Sequence, residues 1–224
     1  MELLRLSNIE KRYRNGDIGE IKVLDKINLT INEGEFIAIL GKSGSGKSTL
    51  LYIMSGLSSP NNGTILFNGE DITAYNDKKM SHFKNNDIGF IFQSFFLEPS
   101  YNAWENVALP LIVKRINLKS RKKIAYEALR KVGLEGREMH KPSELSGGEM
   151  QRVCIARAIV SQPKIIFADE PTGNLDKVSG EMVMSVLCEL AKEKTAIVLV
   201  THDEQSAQMA DRIIYISDGK LCEG

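Results

Sequence analysis

Gly41-Lys42-Ser43-Gly44-Ser45-Gly46-Lys47-Ser48 has the residue types and spacing needed to hold a polyphosphate. Its three glycines let the backbone curl so that several N–H groups converge on phosphate oxygens. The apolar segment Phe36–Leu40 precedes it and helix-forming sequence begins at Lys47. The loop therefore opens a helix whose N-terminus adds about half a positive charge where the phosphates lie. Lys47 can bridge the β- and γ-phosphates, and the Ser48 hydroxyl can ligate Mg²⁺. Thr49, the next residue, belongs with the nucleotide-contacting set. A glycine-rich turn without a ligand needs neither lysine nor serine at these two places. A nucleoside triphosphate, with Mg²⁺, is the expected ligand; the loop leaves open which phosphoryl chemistry follows.

Ile165-Ile166-Phe167-Ala168 ends in two carboxylates, Asp169 and Glu170. Ligands of parallel α/β sheets collect beyond the carboxyl ends of the strands, which places this pair beside the phosphate loop. Asp169 then reaches Mg²⁺, and Glu170 can orient or deprotonate the water that attacks the γ-phosphate. Taken alone, an Asp-Glu pair at a strand end is commonly a solvated terminus or a helix cap. His202 ends a second apolar run, Ala196–Thr201, where a neutral imidazole could hydrogen-bond the γ-phosphate. His82 and His140 fall in polar stretches and have no such placement. Leu145-Ser146-Gly147-Gly148-Glu149 opens a further helix, expected over Glu149 to Val160. Ser146 with Glu149 fits a capping box, and the adjacent glycines expose helix N-terminal amides to an anion.

The elements that must position these groups alternate between strand and helix, the pattern of an α/β protein. Strands are expected over Leu3 to Ile9, Ile27 to Ile31, Glu35 to Leu40, Gly63 to Phe67, Ile88 to Phe92, Ile165 to Ala168 and Ala196 to Val200. Helices are expected over Lys47 to Met54 and Val178 to Lys192. Phe95–Trp104 is aromatic and irregular. Beyond it Ala125, Leu129 and Val132 recur at the spacing of a helix with one buried face. This predicts a single domain over 1–224, with an α/β core formed by 1–94 and 143–224 and a helical insertion over 95–142.

The 224 residues are 42% hydrophobic and 26% charged, which suits a globular chain. With 29 basic and 29 acidic residues there is no overall basic excess, which disfavours nucleic acid as a partner. The three cysteines form no C-x-x-C pair, so reduced thiols are expected. Met1–Arg5 lacks the pattern of a signal peptide, and no apolar run approaches the roughly 18 residues that cross a bilayer. A membrane role must come through a partner.

Together these motifs resemble the ABC ATPase family over essentially the whole chain, Leu3 to Leu221. Leu145–Glu149 resembles its signature motif, Asn174-Leu175-Asp176 its D-loop and His202 its switch histidine. Tyr13 matches its adenine-stacking aromatic, and Gln93 its glutamine that reaches Mg²⁺ and the attacking water. Glu149 departs from the glutamine commonest there. The resemblance implies a P-loop NTPase core, mostly parallel but with an antiparallel β subdomain, plus the helical insertion. It implies two copies paired head to tail, with each ATP between the phosphate loop of one and Ser146, Gly147 and Gly148 of the other. It also implies a separate transmembrane permease, and hence a place at the cytoplasmic face of the membrane.

Glu33–Phe36, Ile88–Gln93, Glu105–Leu111 and Ala168–Asp176 resemble the lipoprotein-release and macrolide or antimicrobial-peptide export group. That likeness implies export or extrusion of a lipophilic substrate or peptide, with Phe95–Trp104 lying where the permease docks. A non-transport ABC ATPase acting on a soluble complex is the alternative. A phosphotransferase would need an acceptor pocket that the sequence does not reveal.

Overall fold

The computed structural model describes residues 1–14 and 19–223. In chain order its strands are β1 (Glu2–Arg14), β2 (Glu20–Asn32), β3 (Phe36–Leu40), β4 (Asn62–Phe67), β5 (Glu70–Asp71), β6 (Ile88–Ile91), β7 (Ile165–Asp169), β8 (Ala196–Thr201), β9 (Arg212–Ser217) and β10 (Lys220–Glu223). The helices are α1 (Lys47–Met54), α2 (Asp77–Asn86), α3 (Ala103–Val113), α4 (Leu118–Lys131), α5 (Gly147–Ile159), α6 (Lys177–Lys192) and the single turn α7 (Glu204–Ala207).

Strands β3, β7 and β8 are buried on both faces, the environment that continuous Val, Ile and Leu runs require. They form the centre of a sheet ordered β10-β9-β3-β8-β7-β6, parallel except for the β9–β10 hairpin. A separate antiparallel sheet, β2-β1-β4-β5, lies apart from it in hydrogen bonding. The fold is thus α/β and P-loop NTPase-like, with a parallel-rich sheet and an antiparallel part.

Side chains alternate along each central strand and feed two cores. Ile37, Ile39, Phe167, Val198 and Val200 pack with α1 against the antiparallel sheet. Phe36, Ala38, Ile166, Ala168, Ile197 and Leu199 pack toward α3, α4, α5 and α6. Helix α1 is held between the sheets by Leu50, Leu51, Ile53 and Met54, all 0% exposed. Each such side chain contributes about 1.5–3 kcal/mol by leaving water, so the helix that follows the phosphate loop has a rigid seat.

Register sets the position of the site. Asp169 lies opposite Val200, and Ile39 lies opposite the same Val200 on the other side. The residues that follow these positions, Glu170, His202 and Gly41, therefore emerge at one edge of the sheet.

Several boundaries differ from the sequence expectation. β1 and β2 run 13 residues each, because their largely polar, mostly exposed outer ends pair with each other through Arg12 with Lys22 and Arg14 with Glu20. The polar stretch Asn76–Asn86 is largely the helix α2, capped by Asn76 and burying only Phe83. Helix α5 begins two residues before Glu149, with Ser146 as its cap. The β9–β10 hairpin was not foreseen, although its Asp218-Gly219 turn is a hairpin signal.

Candidate functional site

The phosphate loop leaves the end of β3 and enters α1 through Gly46, whose φ is +102°. An added Cβ there would lie 2.9 Å from the Val23 carbonyl oxygen, so both backbone angle and space require glycine. Lys47 is 5% exposed, and its Nζ donates to the carbonyls of Gly41 at 2.8 Å and Lys42 at 2.9 Å. These bonds hold the ammonium against the loop it serves. Lys42, Ser43 and Gly44 are exposed, while Ser45 and Thr49 are half-buried beside them.

The Ser48 hydroxyl donates to Asp169 at 3.0 Å, joining residues 121 positions apart. Burial pushes the Asp169 carboxyl above its ordinary range and the Glu170 charge adds to this, while bonds from Ser48 and Tyr52 and the Lys47 charge oppose it. Burial, followed by the Asp169 charge and its hydrogen bond, likewise pushes the Tyr52 hydroxyl up to about 12. A carboxyl with a raised folded pKa binds its proton more tightly folded than unfolded. Its contribution to stability is therefore greatest below the unfolded value and is lost as pH rises through the folded one. Asp169→Asn keeps an acceptor for Ser48 and Tyr52 without the buried charge. It is expected to raise the unfolding midpoint at neutral pH and leave it unchanged at acid pH. Thermal unfolding at the two pH values checks this.

Glu170 has a φ of +45°, uncommon for a side-chain-bearing residue and a local strain of the kind found at functional positions. Its amide donates to the Val200 carbonyl at 2.9 Å, and its carboxylate lies 3.2 Å from His202 Nδ1. The two line a cleft of about 430 Å³ with Gly173, Asp176 and Ser206. Gln93 is exposed just past β6, with its carboxamide against Gly173, and its carbonyl accepts from Asn174 Nδ2 at 3.1 Å. Tyr13 lies apart, on β1; the residue is 45% exposed, with the Lys11 ammonium 5.1 Å from its ring centre.

Ser146 and Glu149 form the expected capping box: Glu149 N–H donates to Ser146 Oγ at 3.3 Å, and Ser146 N–H to the Glu149 carboxylate at 2.8 Å. The Ser146 amide, with the Arg137 ion pair at 3.1 Å adding to it, holds the Glu149 carboxyl below its ordinary range. This residue is therefore a fixed anion at the helix start. Gly148 is buried against α6, where an added Cβ would lie 2.7 Å from Ser179 Oγ and 2.8 Å from Ser179 Cβ. Gly148→Ala is expected to destabilise the protein by about 1–3 kcal/mol through overpacking. Removing the obstructing side chain with Ser179→Gly should recover much of that loss in the double variant. Denaturant midpoints of the four proteins test the coupling.

Three side chains that sequence reading passed over fix the segment on both sides of Gln93. Arg157 donates to the carbonyls of Phe96 at 2.7 Å and Phe95 at 2.9 Å. Gln151, wholly buried, donates to Phe92. Asn106, also wholly buried, bonds the backbone of Glu98, Tyr101 and Asn102. The available signal was a polar residue at an otherwise apolar helical position. Helix α5 thus carries both the Ser146–Glu149 segment and the grip on the Gln93 loop.

The sequence model of the family described as ABC transporter matches residues 24–173, a span that includes the phosphate loop, Gln93, Leu145–Glu149 and the acidic pair. The chain belongs to the ABC transporter family. It is an ATP-binding subunit of that family, and an ATPase. This ABC cassette is 48% identical over 219 residues to the uncharacterized ABC transporter ATP-binding protein YvrO of Bacillus subtilis, covering 98% of this chain and 95% of that one. It is 46% identical over 222 residues to the lipoprotein-releasing system ATP-binding protein LolD of Shewanella denitrificans, covering 99% and 95%. Among solved structures, the cassette superposes with a TM-score of 0.90 on the ATP-binding cassette MJ0796, a dimeric post-hydrolysis state bound to ADP and Pi. That match is 41% identical and covers 99% and 98% of the chains.

Proposed function

We propose that this ATPase works as an ATP-sandwiched homodimer that drives a separate transmembrane permease. The observation that carries the reading is the convergence, at one sheet edge, of Ser48 on Asp169 and Glu170 on His202. Lys47 and the amides from Gly41 to Thr49 bind the triphosphate, and Tyr13 stacks on the base. Ser48, Asp169 and Gln93 offer hard oxygen donors, and the buried Asp169 carboxylate has a charge that a cation would relieve; this set fits Mg²⁺. When bound, Mg²⁺ neutralises charge on the terminal phosphates.

Glu170 accepts the proton of the attacking water as its oxygen closes on the γ-phosphorus. The bond from that phosphorus to the bridging oxygen breaks, and the bridging oxygen leaves on ADP. His202 holds that carboxylate through Nδ1. A neutral ring leaves Nε2 as an acceptor for water; a protonated ring donates at both nitrogens and meets a phosphate oxygen with the second. Gly147 and Gly148 supply amides and Ser146 its hydroxyl proton from the second copy, with Glu149 beside them and holding the Ser146 amide. Dimeric relatives support this pairing, as does the run of contacts from Ser146–Glu149 to Arg137, Ser179 and Leu175 rather than to their own phosphate loop.

No helix among the described residues is long and apolar enough to cross a membrane. A permease partner at the cytoplasmic membrane face therefore supplies the passage, and the likeness to lipoprotein-releasing LolD supports export of a lipophilic or peptide cargo. Residues 95–142 act as the helical unit that transmits movement, with the exposed Phe96 and Tyr101 available for docking.

A mixing experiment tests the composite site. Lys47→Ala and Ser146→Arg homodimers should each be inactive, while an equimolar mixture forms dimers with one intact site and recovers about a quarter of wild-type turnover. No recovery at all would remove the shared site.

A further inference from the structure

The turn between α3 and α4 concentrates charge in a chain that is neutral overall. Between Glu105 and Glu127 there is no acidic residue, yet Lys114, Arg115, Lys119, Arg121, Lys122 and Lys123 all fall there. With 29 basic and 29 acidic residues in all, the remainder carries 23 basic against 29 acidic. Neutralisation within the fold is sparse. Among the described residues, only Lys123 of the six reaches an acid, Glu127, and at 4.0 Å. Lys114 donates to the Ser161 carbonyl, and Lys122 lies over the rings of Trp104 and Tyr126.

The same turn exposes large apolar side chains. Val113 is 69% exposed, Leu118 61% and Ile112 49%, off the buried faces of α3 and α4. The chain reverses through Arg115 at φ +56°, and Ile116 N–H closes back on Leu111, so these residues project at the tip of a helical hairpin. Beside the tip opens a cleft of about 1240 Å³ in which Lys79 pairs with Glu70 at 3.4 Å and Lys164 with Asp87 at 3.3 Å, while Lys78, Lys114 and Arg115 reach no acid among the described residues.

We propose that this tip is a peripheral contact for anionic phospholipid. Arg115 and Lys119, both exposed, adjoin the exposed aliphatic side chains in the chain. That combination matches a bilayer interface, where the cations meet headgroup phosphates and the aliphatic groups enter the acyl boundary. A nucleic-acid surface would use the charge but gain nothing from Ile112, Val113 and Leu118. An acidic protein segment seated in the cleft would cover Val113, which lines it, and leave Ile112 and Leu118 in water. The contact is independent of the ATP site, and it orients the helical hairpin toward the membrane.

Co-sedimentation of the purified full chain with vesicles tests it. Vesicles of phosphatidylglycerol and phosphatidylcholine should bind the protein in a salt-sensitive manner, and pure phosphatidylcholine vesicles should not. Arg115→Glu with Lys119→Glu is expected to weaken binding by about tenfold or more, and Val113→Ser with Leu118→Ser should also weaken it, both at unchanged ATP turnover. Equal binding to neutral vesicles, undiminished binding by the charge-reversed variant, or no binding at low salt overturns the proposal. Binding of polyglutamate or of DNA in place of the vesicles overturns it too, in favour of a protein or nucleic-acid partner.

Discussion

Glu170→Gln should bind ATP normally and hydrolyse it about 10²–10⁴-fold more slowly, the usual worth of a positioned general base. The substitution is nearly isosteric, and the backbone that holds residue 170 at φ +45° is anchored by its amide bond to Val200. An amide oxygen still accepts from His202 Nδ1, so the 3.2 Å contact has a replacement. What disappears is the ability to take a proton. Binding is untouched because Lys47 and the loop amides belong to a different segment. The variant should therefore accumulate an ATP-bound dimer, visible by light scattering with nucleotide and Mg²⁺ present. Near-normal single-turnover hydrolysis would remove Glu170 from its role.

Lys47→Ala should act on the other half of the cycle, weakening ATP affinity by about a hundredfold or more through lost charge-assisted bonds. Nζ already has two loop carbonyls as partners. The side chain is 5% exposed, so it is pre-positioned with little rotamer freedom left to lose on binding. Alanine also removes a buried stem, and Lys47→Met separates that effect by keeping bulk without charge. Equal loss of affinity in both variants assigns the effect to the ammonium. Calorimetric titration with a non-hydrolysable ATP analogue is the measurement, and unchanged affinity would undermine the phosphate-loop assignment.

The two variants draw on features of different legibility. Lys47 could be found from local spacing, because a glycine pattern between an apolar run and a helix is encoded within about a dozen residues. Glu170 was legible only because an apolar strand ended in it; its left-handed backbone and its contact with His202 were not. Helix α2 escaped because it buries Phe83 alone and so has no apolar stripe to reveal its period. The outer ends of β1 and β2 escaped because they are mostly exposed and largely polar, with no alternation of apolar residues to mark a strand. Arg157, Gln151 and Asn106 were missed for a related reason: their partners are main-chain carbonyls and amides, which leave no mark on residue type.

The amino-acid order by itself determined the loop that suits a triphosphate, the strands that end in Asp169 and His202, the capped helix at Ser146 and the likeness to ABC ATPases. Each is a short-range pattern of backbone freedom, burial or capping. Tertiary structure alone decided that Ile39, Asp169 and Val200 share a register, that Ser48 reaches Asp169 and that helix α5 grips the loop after Gln93. Those outcomes depend on hydrogen bonds and interlocking side chains between segments far apart in the chain, and such pairings are selected only when the two cores close around the sheet.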